Sequence, residues 1–357
     1  MAARFLGSLR RRIRCAMHDA AANRRHVRGE QRFLVARHVD GRPRFNEVLL
    51  AWAAAHVPEA RARYELRLLP LALRDPARYA LHLPWLQDPV EAWSPRAYRQ
   101  ALRLTAACDR HGIPTVNRVE RLAAATKSRA CALMAAAGVR TPRAAPIDDA
   151  DLFRRTLLGL ELPILVRDDA GHAGPDALED GEVVRCDTLA EARAVDLARF
   201  ARPVAIEFVE TRDPRDGLYR KYRYVAAGDR GAPHHLQVMQ HWFVKGRGQL
   251  YSEAIRDEDA AYLAGPDPNH ALLQRARRAL GLDVVAFDYA YDPEGRVVVW
   301  EANPFPFFHF LPGRRAYRTP AVERAFAAIL QLHHERAGLP APEVLRRWLP
   351  EPAGAPA

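Results

Sequence analysis

Residues 284–303 carry the pattern that most restricts this chain. Val284-Val-Ala-Phe-Asp288 and Val297-Val-Val-Trp-Glu-Ala-Asn303 are two β-branched runs separated by Asp292-Pro-Glu-Gly295. Apolar runs around an Asp/Pro/Gly turn read as a β-hairpin. If Asp292 and Gly295 flank the turn, Asp288 stands opposite Val299, and the two-residue period puts Glu301 and Asn303 on its face. The Asp288 to Glu301 diagonal is then about 7 to 8 Å between backbones. Two carboxylates and an amide would converge on one side of an otherwise apolar hairpin, an oxygen-only set suited to a hard cation such as Mg²⁺. An edge hairpin with its polar residues toward solvent is the competing reading, and the hairpin alone leaves both open.

Length and composition restrict the rest. With 357 residues, 49% apolar and 27% charged, the chain has room for two or three globular domains. No apolar run approaches the roughly 18 residues of a membrane span. Cys15, Cys108, Cys131 and Cys186 form no CxxC pair, which excludes a disulfide framework or zinc site of usual spacing and fits a reducing, cytoplasmic setting. The net charge of +11 admits an anionic partner. No recognition motif or aromatic interleaving accompanies it, so nucleic acid is not expected. Among the 54 basic residues only Lys127, Lys221 and Lys245 are lysines. An ammonium on a flexible stem is not interchangeable with guanidinium at a phosphate, which makes these three the candidates for a phosphate contact.

The order of elements predicts an α/β (α+β) architecture with a small α/β domain at its N-terminus. Residues 1–30 form a basic extension, with eight arginines against Asp19 in the first 28 positions; a poorly packed helix or tail is expected there. Residues 31–116 alternate strand and helix, with Ser94 capping a helix to Arg110 before a short strand at Ile113–Val116. Thr126 is the expected N-cap of a helix from Lys127 to Ala137, stopped by Gly138. Leu162-Pro-Ile-Leu-Val166 reads as a strand running into a loop with Gly171 and Gly174. A helix at Leu189–Phe200 precedes a strand at Val204–Val209. Tyr219–Ala227 and His235–Val244 read as an antiparallel pair, followed by a helix at Ala271–Leu280. Two helices and a Pro/Ala-rich tail, expected to be disordered, fill 313–357.

From Gly112 to about Pro312 the order of motifs resembles the ATP-grasp superfamily, which includes D-alanine:D-alanine ligase and glutathione synthetase. The resemblance is carried by Gly112-Ile-Pro-Thr-Val-Asn117, Thr126-Lys127, Ala137-Gly-Val-Arg-Thr-Pro142, Asp288 and Glu301-Ala-Asn-Pro304. It implies an ATP-grasp domain over 117–312, with nucleotide between subdomains near 117–206 and 207–312. It further implies ATP with Mg²⁺, or Mn²⁺ in its place, and small-molecule carboxylate and amine substrates. The acid would be activated as an acyl phosphate for attack by the amine, with ADP released. A kinase of a polyanionic small molecule and a non-catalytic nucleotide-binding protein are the alternatives.

The resemblance also distributes roles. Asp288, Glu301 and Asn303 would hold the metal. Lys127 resembles the first nucleotide lysine. Arg167 stands where the family usually places its second phosphate lysine, and a guanidinium there clamps phosphate with a different reach. The loop with Gly171 and Gly174 would cover the phosphates with backbone N–H groups. Backbone groups of Glu207 and Val209 would pair with adenine. Near the ribose, Lys221 replaces the usual acid, leaving Asp213 or Asp216 as substitutes. Arg223 would face the substrate carboxylate or the transferring phosphate, sharing a strand face with Lys221, and Lys245 would offset γ-phosphate charge. The aromatic stretch Pro304–Arg315 reads first as local core and second as an acceptor pocket.

Overall fold

Phe33, Leu34, Val35 and Ala36 are all fully buried, as a strand inside a parallel sheet covered on both faces must be. They lie in β1 (Arg32–Arg37) of a computed structural model that describes residues 2–24, 29–38, 44–86, 90–170, 183–244 and 248–349. The chain forms two units. Met1–Leu122, Leu282–Val284 and Phe305–Ala357 make the first, and Ala123–Gly281 with Val285–Pro304 the second.

In the first unit β1 sits between β2 (Tyr64–Leu68) and β3 (Tyr79–Pro84) in a parallel sheet ordered β2-β1-β3. Parallel neighbours need a crossover, and α2 (Arg44–His56) and α3 (Pro58–Ala62) supply it between β1 and β2. After β3 come α4 (Val90–Trp93), α5 (Pro95–Arg110) and α6 (Val119–Leu122). Ser94 caps α5, its side chain accepting from the Ala97 N–H. Residues 113–116 form a single bridge, Thr115 with His82, instead of the expected strand.

The arginine-rich N-terminus takes the helical form of the two expected, with its C-terminal end packed. It forms α1 (Ala2–Asn23), which ends docked on β2. Asn23 donates to the Leu66 carbonyl (3.0 Å) and accepts from the Leu66 N–H (2.9 Å). Arg61 reaches the Ala22 carbonyl at 3.2 Å.

The second unit has two four-stranded sheets. Its first sheet, ordered β4-β7-β5-β6, contains β4 (Ala144–Pro146), β5 (Ile164–Asp168), β6 (Val183–Cys186) and β7 (Pro203–Glu207). With these go α7 (Lys127–Ala136), α8 (Ala150–Thr156) and α9 (Leu189–Ala194). One sheet face packs Ile164, Val166 and Ala205 with Phe153, Ala192 and Phe200. Period two turns Leu165 and Arg167 to the other face, together with their partners Ile206 and Val204.

The second sheet is ordered β11-β10-β8-β9: β8 (Tyr219–Ala227), β9 (Arg230–Met239), β10 (Val284–Tyr291) and β11 (Val297–Asn303). β9 begins five residues before the expected His235, because Gly228 at φ +60 turns the chain directly after β8. α10 (Glu253–Ala264), capped by Ser252, was not foreseen; α11 (His270–Leu280) was.

The chain then returns to the first unit through α12 (Thr319–Arg336). His333 of α12 bonds the Tyr64 hydroxyl at 2.6 Å, and Phe33 meets the Tyr64 ring edge-on at 5.3 Å. Phe308 packs on Phe326 (5.0 Å), so part of the aromatic stretch is core. Residues 305–349 therefore share the N-terminal core, whereas the sequence reading ended one domain at 312 and set 313–357 apart. Asn117, at φ +53, holds the 282–284 segment: its side chain donates to the Val284 carbonyl (2.8 Å) and accepts from the Asp283 and Val284 N–H groups. The tail 350–357 lies outside the described residues. Among those described, no helix is long and apolar enough to cross a membrane.

Candidate active site

β10 and β11 form the expected hairpin with a different register. Asp288 is paired directly with Glu301, and Ala286 with Asn303. Two backbone features displace the predicted Asp288 to Val299 pairing. Gly295 at φ +76 adds a residue to the turn, so the Asp292 N–H bonds the Arg296 carbonyl at 3.0 Å. Trp300 is then the extra residue of a bulge opposite Asp288 and Tyr289. Asp292 fixes the turn by accepting from the Glu294 and Arg296 N–H groups. Asp288, Glu301 and Asn303 still share one face, since directly paired residues of antiparallel strands do. Among the described residues no three His, Cys, Asp or Glu side chains cluster as a metal site; here the third donor is an amide.

Each carboxylate meets a cation. Arg223 grips Asp288 through Nε (2.6 Å) and Nη2 (2.8 Å), and Lys221 Nζ lies 3.2 Å from Asp288 Oδ2. Lys221 and Arg223 thus act on one side of β8, as the alternation predicts, but what they meet is a carboxylate. Burial by itself would raise the Asp288 carboxyl; the charges of Arg223 and Lys221 overcome it and hold the group well below the usual carboxylate range. Lys127 Nζ lies 2.6 Å from Glu301 Oε1, with only 6% of its side chain exposed.

The Glu301 carboxylate explains a lysine at the start of α7, where a cation is unfavourable by itself. Thr126 occupies the N-cap position but its side chain makes no cap bond. Asp169 caps instead: it accepts from the Ser128 N–H (2.7 Å) and Ser128 Oγ (2.9 Å), and its own carbonyl takes the Lys127 N–H (3.1 Å). Two residues before it, Arg167 projects from β5 with its Nε buried and unmatched by any acceptor. Sequence reasoning missed Asp169 because a cap 41 residues away leaves no local signature.

The expected hinge strand, β7, is tied into its sheet at Glu207. The Glu207 N–H is donated to the Arg143 carbonyl (2.9 Å), and its carboxylate accepts from Arg143 Nη1 and the Glu161 N–H. That N–H is therefore used within the sheet, through the β4 side of β7. Val209 lies just past the end of β7. Beyond it Arg185 stacks on Phe208 (4.1 Å), and Trp242 meets the same ring edge-on (5.7 Å), a flat-sided group that the sequence did not single out. Asp213 and Asp216 are engaged by Arg215 and Arg220. Gly171, Gly174 and Lys245 fall outside the described residues.

No protein-family profile matches the sequence, and no curated protein matches it. Solved structures do. The macrocyclase MdnC from Microcystis aeruginosa MRC, bound with precursor peptide MdnA, aligns with TM-score 0.52 at 12% identity, over 85% of this chain and 99% of that one. The ATP-grasp ligase PsnB, complexed with minimal precursor, gives 0.51 at 14% identity, over 84% and 100%. The VanG D-Ala:D-Ser ligase from Enterococcus faecalis gives 0.50 at 12%, over 86% and 100%. The chain has the ATP-grasp fold, a mixture of helix and sheet.

Proposed function

We propose, taking that fold as the premise, that this chain is an ATP- and Mg²⁺-dependent ligase working in a reducing, cytoplasmic setting. It would activate a small carboxylate as an acyl phosphate and join it to an amine, releasing ADP. The observation that supports this most is the charge arrangement: Asp288 and Glu301 share a hairpin face, and Arg223, Lys221 and Lys127 are held against them. A metal-bound triphosphate is itself a set of alternating charges. On its arrival the cations can turn to phosphate oxygens and the carboxylates to the ion, so no charge is left buried and unpaired. The unmatched Arg167 Nε offers one more donor for an anion.

Asp288, Glu301 and Asn303 would hold the ion, and their oxygen-only chemistry fits Mg²⁺ or Mn²⁺. When bound, the ion supplies charge neutralisation and polarises a phosphoryl oxygen. Phosphoryl transfer needs alignment and charge compensation more than a covalent catalyst. Lys127 and Arg167 would hold the phosphates, and Arg223 would orient the substrate carboxylate. Gly171, Gly174, Lys221 and Lys245 complete this assignment, with backbone groups of Glu207 and Val209 beside the base.

Incubation with Mg·ATP, a panel of small carboxylic acids and hydroxylamine tests the reading. ADP and a hydroxamate are expected from at least one acid, and neither from Asp288→Asn. AMP release, or no hydroxamate with any acid, overturns the acyl phosphate route; a phosphorylated product without ligation identifies a kinase.

A further inference from the structure

The first unit contains a pocket of about 330 Å³ between α1 and α2, floored by β2. Its walls are apolar over much of their extent, with Ala22, Leu50, Ala54 and Leu66 contributing. Three polar side chains line it from deep positions: Arg37, the last residue of β1, is 6% exposed, Asn46 of α2 2% and Arg61 of α3 4%. Arg37 Nε, Asn46 Nδ2 and Asn46 Oδ1 are all buried without a hydrogen-bond partner. Asp19 stands against Arg37, 3.3 Å from its Nη1 through Oδ1, and its buried Oδ2 is likewise unmatched.

Four unmet polar atoms at one place are costly, since each loses its water without gaining a partner. They are also complementary in kind. Two are donors, from a guanidinium and an amide, and two are acceptors, from an amide and a carboxylate. The charged groups of the lining, Arg37, Arg61 and Glu47, balance once Asp19, paired to Arg37, is added, so the complement carries no net charge while offering both an anionic acceptor and a cationic donor. The apolar wall adds a hydrocarbon group, and the volume lies at the small end of the range of ligand sites.

We infer that this pocket binds a free α-amino acid with an apolar side chain. The carboxylate meets Arg37 Nε and Asn46 Nδ2, the ammonium meets Asn46 Oδ1 and Asp19 Oδ2, and the side chain lies along Leu50, Ala54 and Leu66. The inference concerns the first unit alone. It does not rest on the nucleotide reading and is tested without ATP.

The test is thermal unfolding and calorimetric titration of the full chain with L-leucine, L-valine and L-methionine at millimolar concentration. Leucinamide, which lacks the carboxylate, and N-acetyl-leucine, which lacks the ammonium, serve as controls. At tenfold excess over its dissociation constant, at least one amino acid raises the melting midpoint by about 2 °C, and both controls fail to. The response is lost in Asn46→Leu, which keeps the side-chain size and removes both amide atoms. It is also lost in Ala54→Leu, which fills the wall and serves by itself if the first variant does not fold. Absence of any shift or heat with all three amino acids, the result of a pocket holding only water, overturns the inference. So does an equal response to either control, or a response that persists in a folded variant.

Discussion

Lys127 Nζ lies 2.6 Å from Glu301 Oε1, joining the first turn of α7 to β11 inside the second unit. Two residues 174 positions apart are thereby held where one can reach an anion and the other a cation. Lys127→Met removes a charge-assisted donor, so ATP affinity should fall by about tenfold to a hundredfold, equivalent to ~1.5 to 3 kcal/mol. Titration calorimetry with the nucleotide reads this directly. An unchanged dissociation constant would mean that Lys127 serves only the fold.

Asp288 and Glu301 should differ in what they contribute to stability. The Asp288 side chain is 2% exposed and answers two cations, whereas that of Glu301 is 24% exposed. Asp288→Asn leaves Arg223 and Lys221 buried with their shared countercharge gone, and should cost about 3 to 5 kcal/mol. Glu301→Gln, better screened by water, should cost about 1 to 2 kcal/mol. Urea denaturation in the absence of nucleotide ranks the two; equal losses would contradict the burial argument.

What could be read from the sequence was whatever depends on side-chain period. Tyr219–Ala227 alternates, and it is β8 residue for residue. The same period put Asp288, Glu301 and Asn303 on one face, and register errors did not disturb this. Register itself depends on backbone conformation at Gly295 and on the Trp300 bulge, which alternation does not encode. α10 escaped notice because its pattern is broken by Asp259, a buried carboxylate that accepts from the Leu236 N–H (2.8 Å) and occupies a place where an apolar residue is looked for. The docking of α1 rests on Asn23 and Arg61 reaching backbone groups, contacts set by tertiary proximity and by no local motif.

Asp169 offers a test of capping from a distance. It satisfies the Ser128 N–H and hydroxyl from the end of the β5 segment. Asp169→Ala would orphan a buried N–H at a helix start and remove a favourable charge there, for a loss of about 1 to 3 kcal/mol. Asp169→Asn keeps an acceptor and should recover most of that. Comparing the chemical denaturation midpoints of the two variants decides it; if the asparagine is as damaging as the alanine, charge outweighs the hydrogen bond.

Acid should weaken the first unit before it touches any carboxylate. Burial pushes His82 and His333 down to about 3, whereas an exposed imidazole titrates near 6.5. The folded chain holds both rings neutral, and the unfolded chain takes up protons once the pH drops below that value. The stability these groups contribute is thus complete above pH 6.5 and is lost progressively as the pH falls toward 3. Each should cost about 1.4 kcal/mol between pH 7.5 and 5.5, a window in which Asp288, held low by Arg223 and Lys221, stays ionised throughout. Urea unfolding across that interval measures the slope. His82→Phe, at a ring whose Nε2 is buried and unpartnered, should remove about 1.4 kcal/mol of the loss, because an apolar ring cannot take up the proton that drives it. A midpoint that does not move from pH 7.5 to 5.5 would show that these imidazoles are solvated and that the core around Phe33 is looser than its burial indicates.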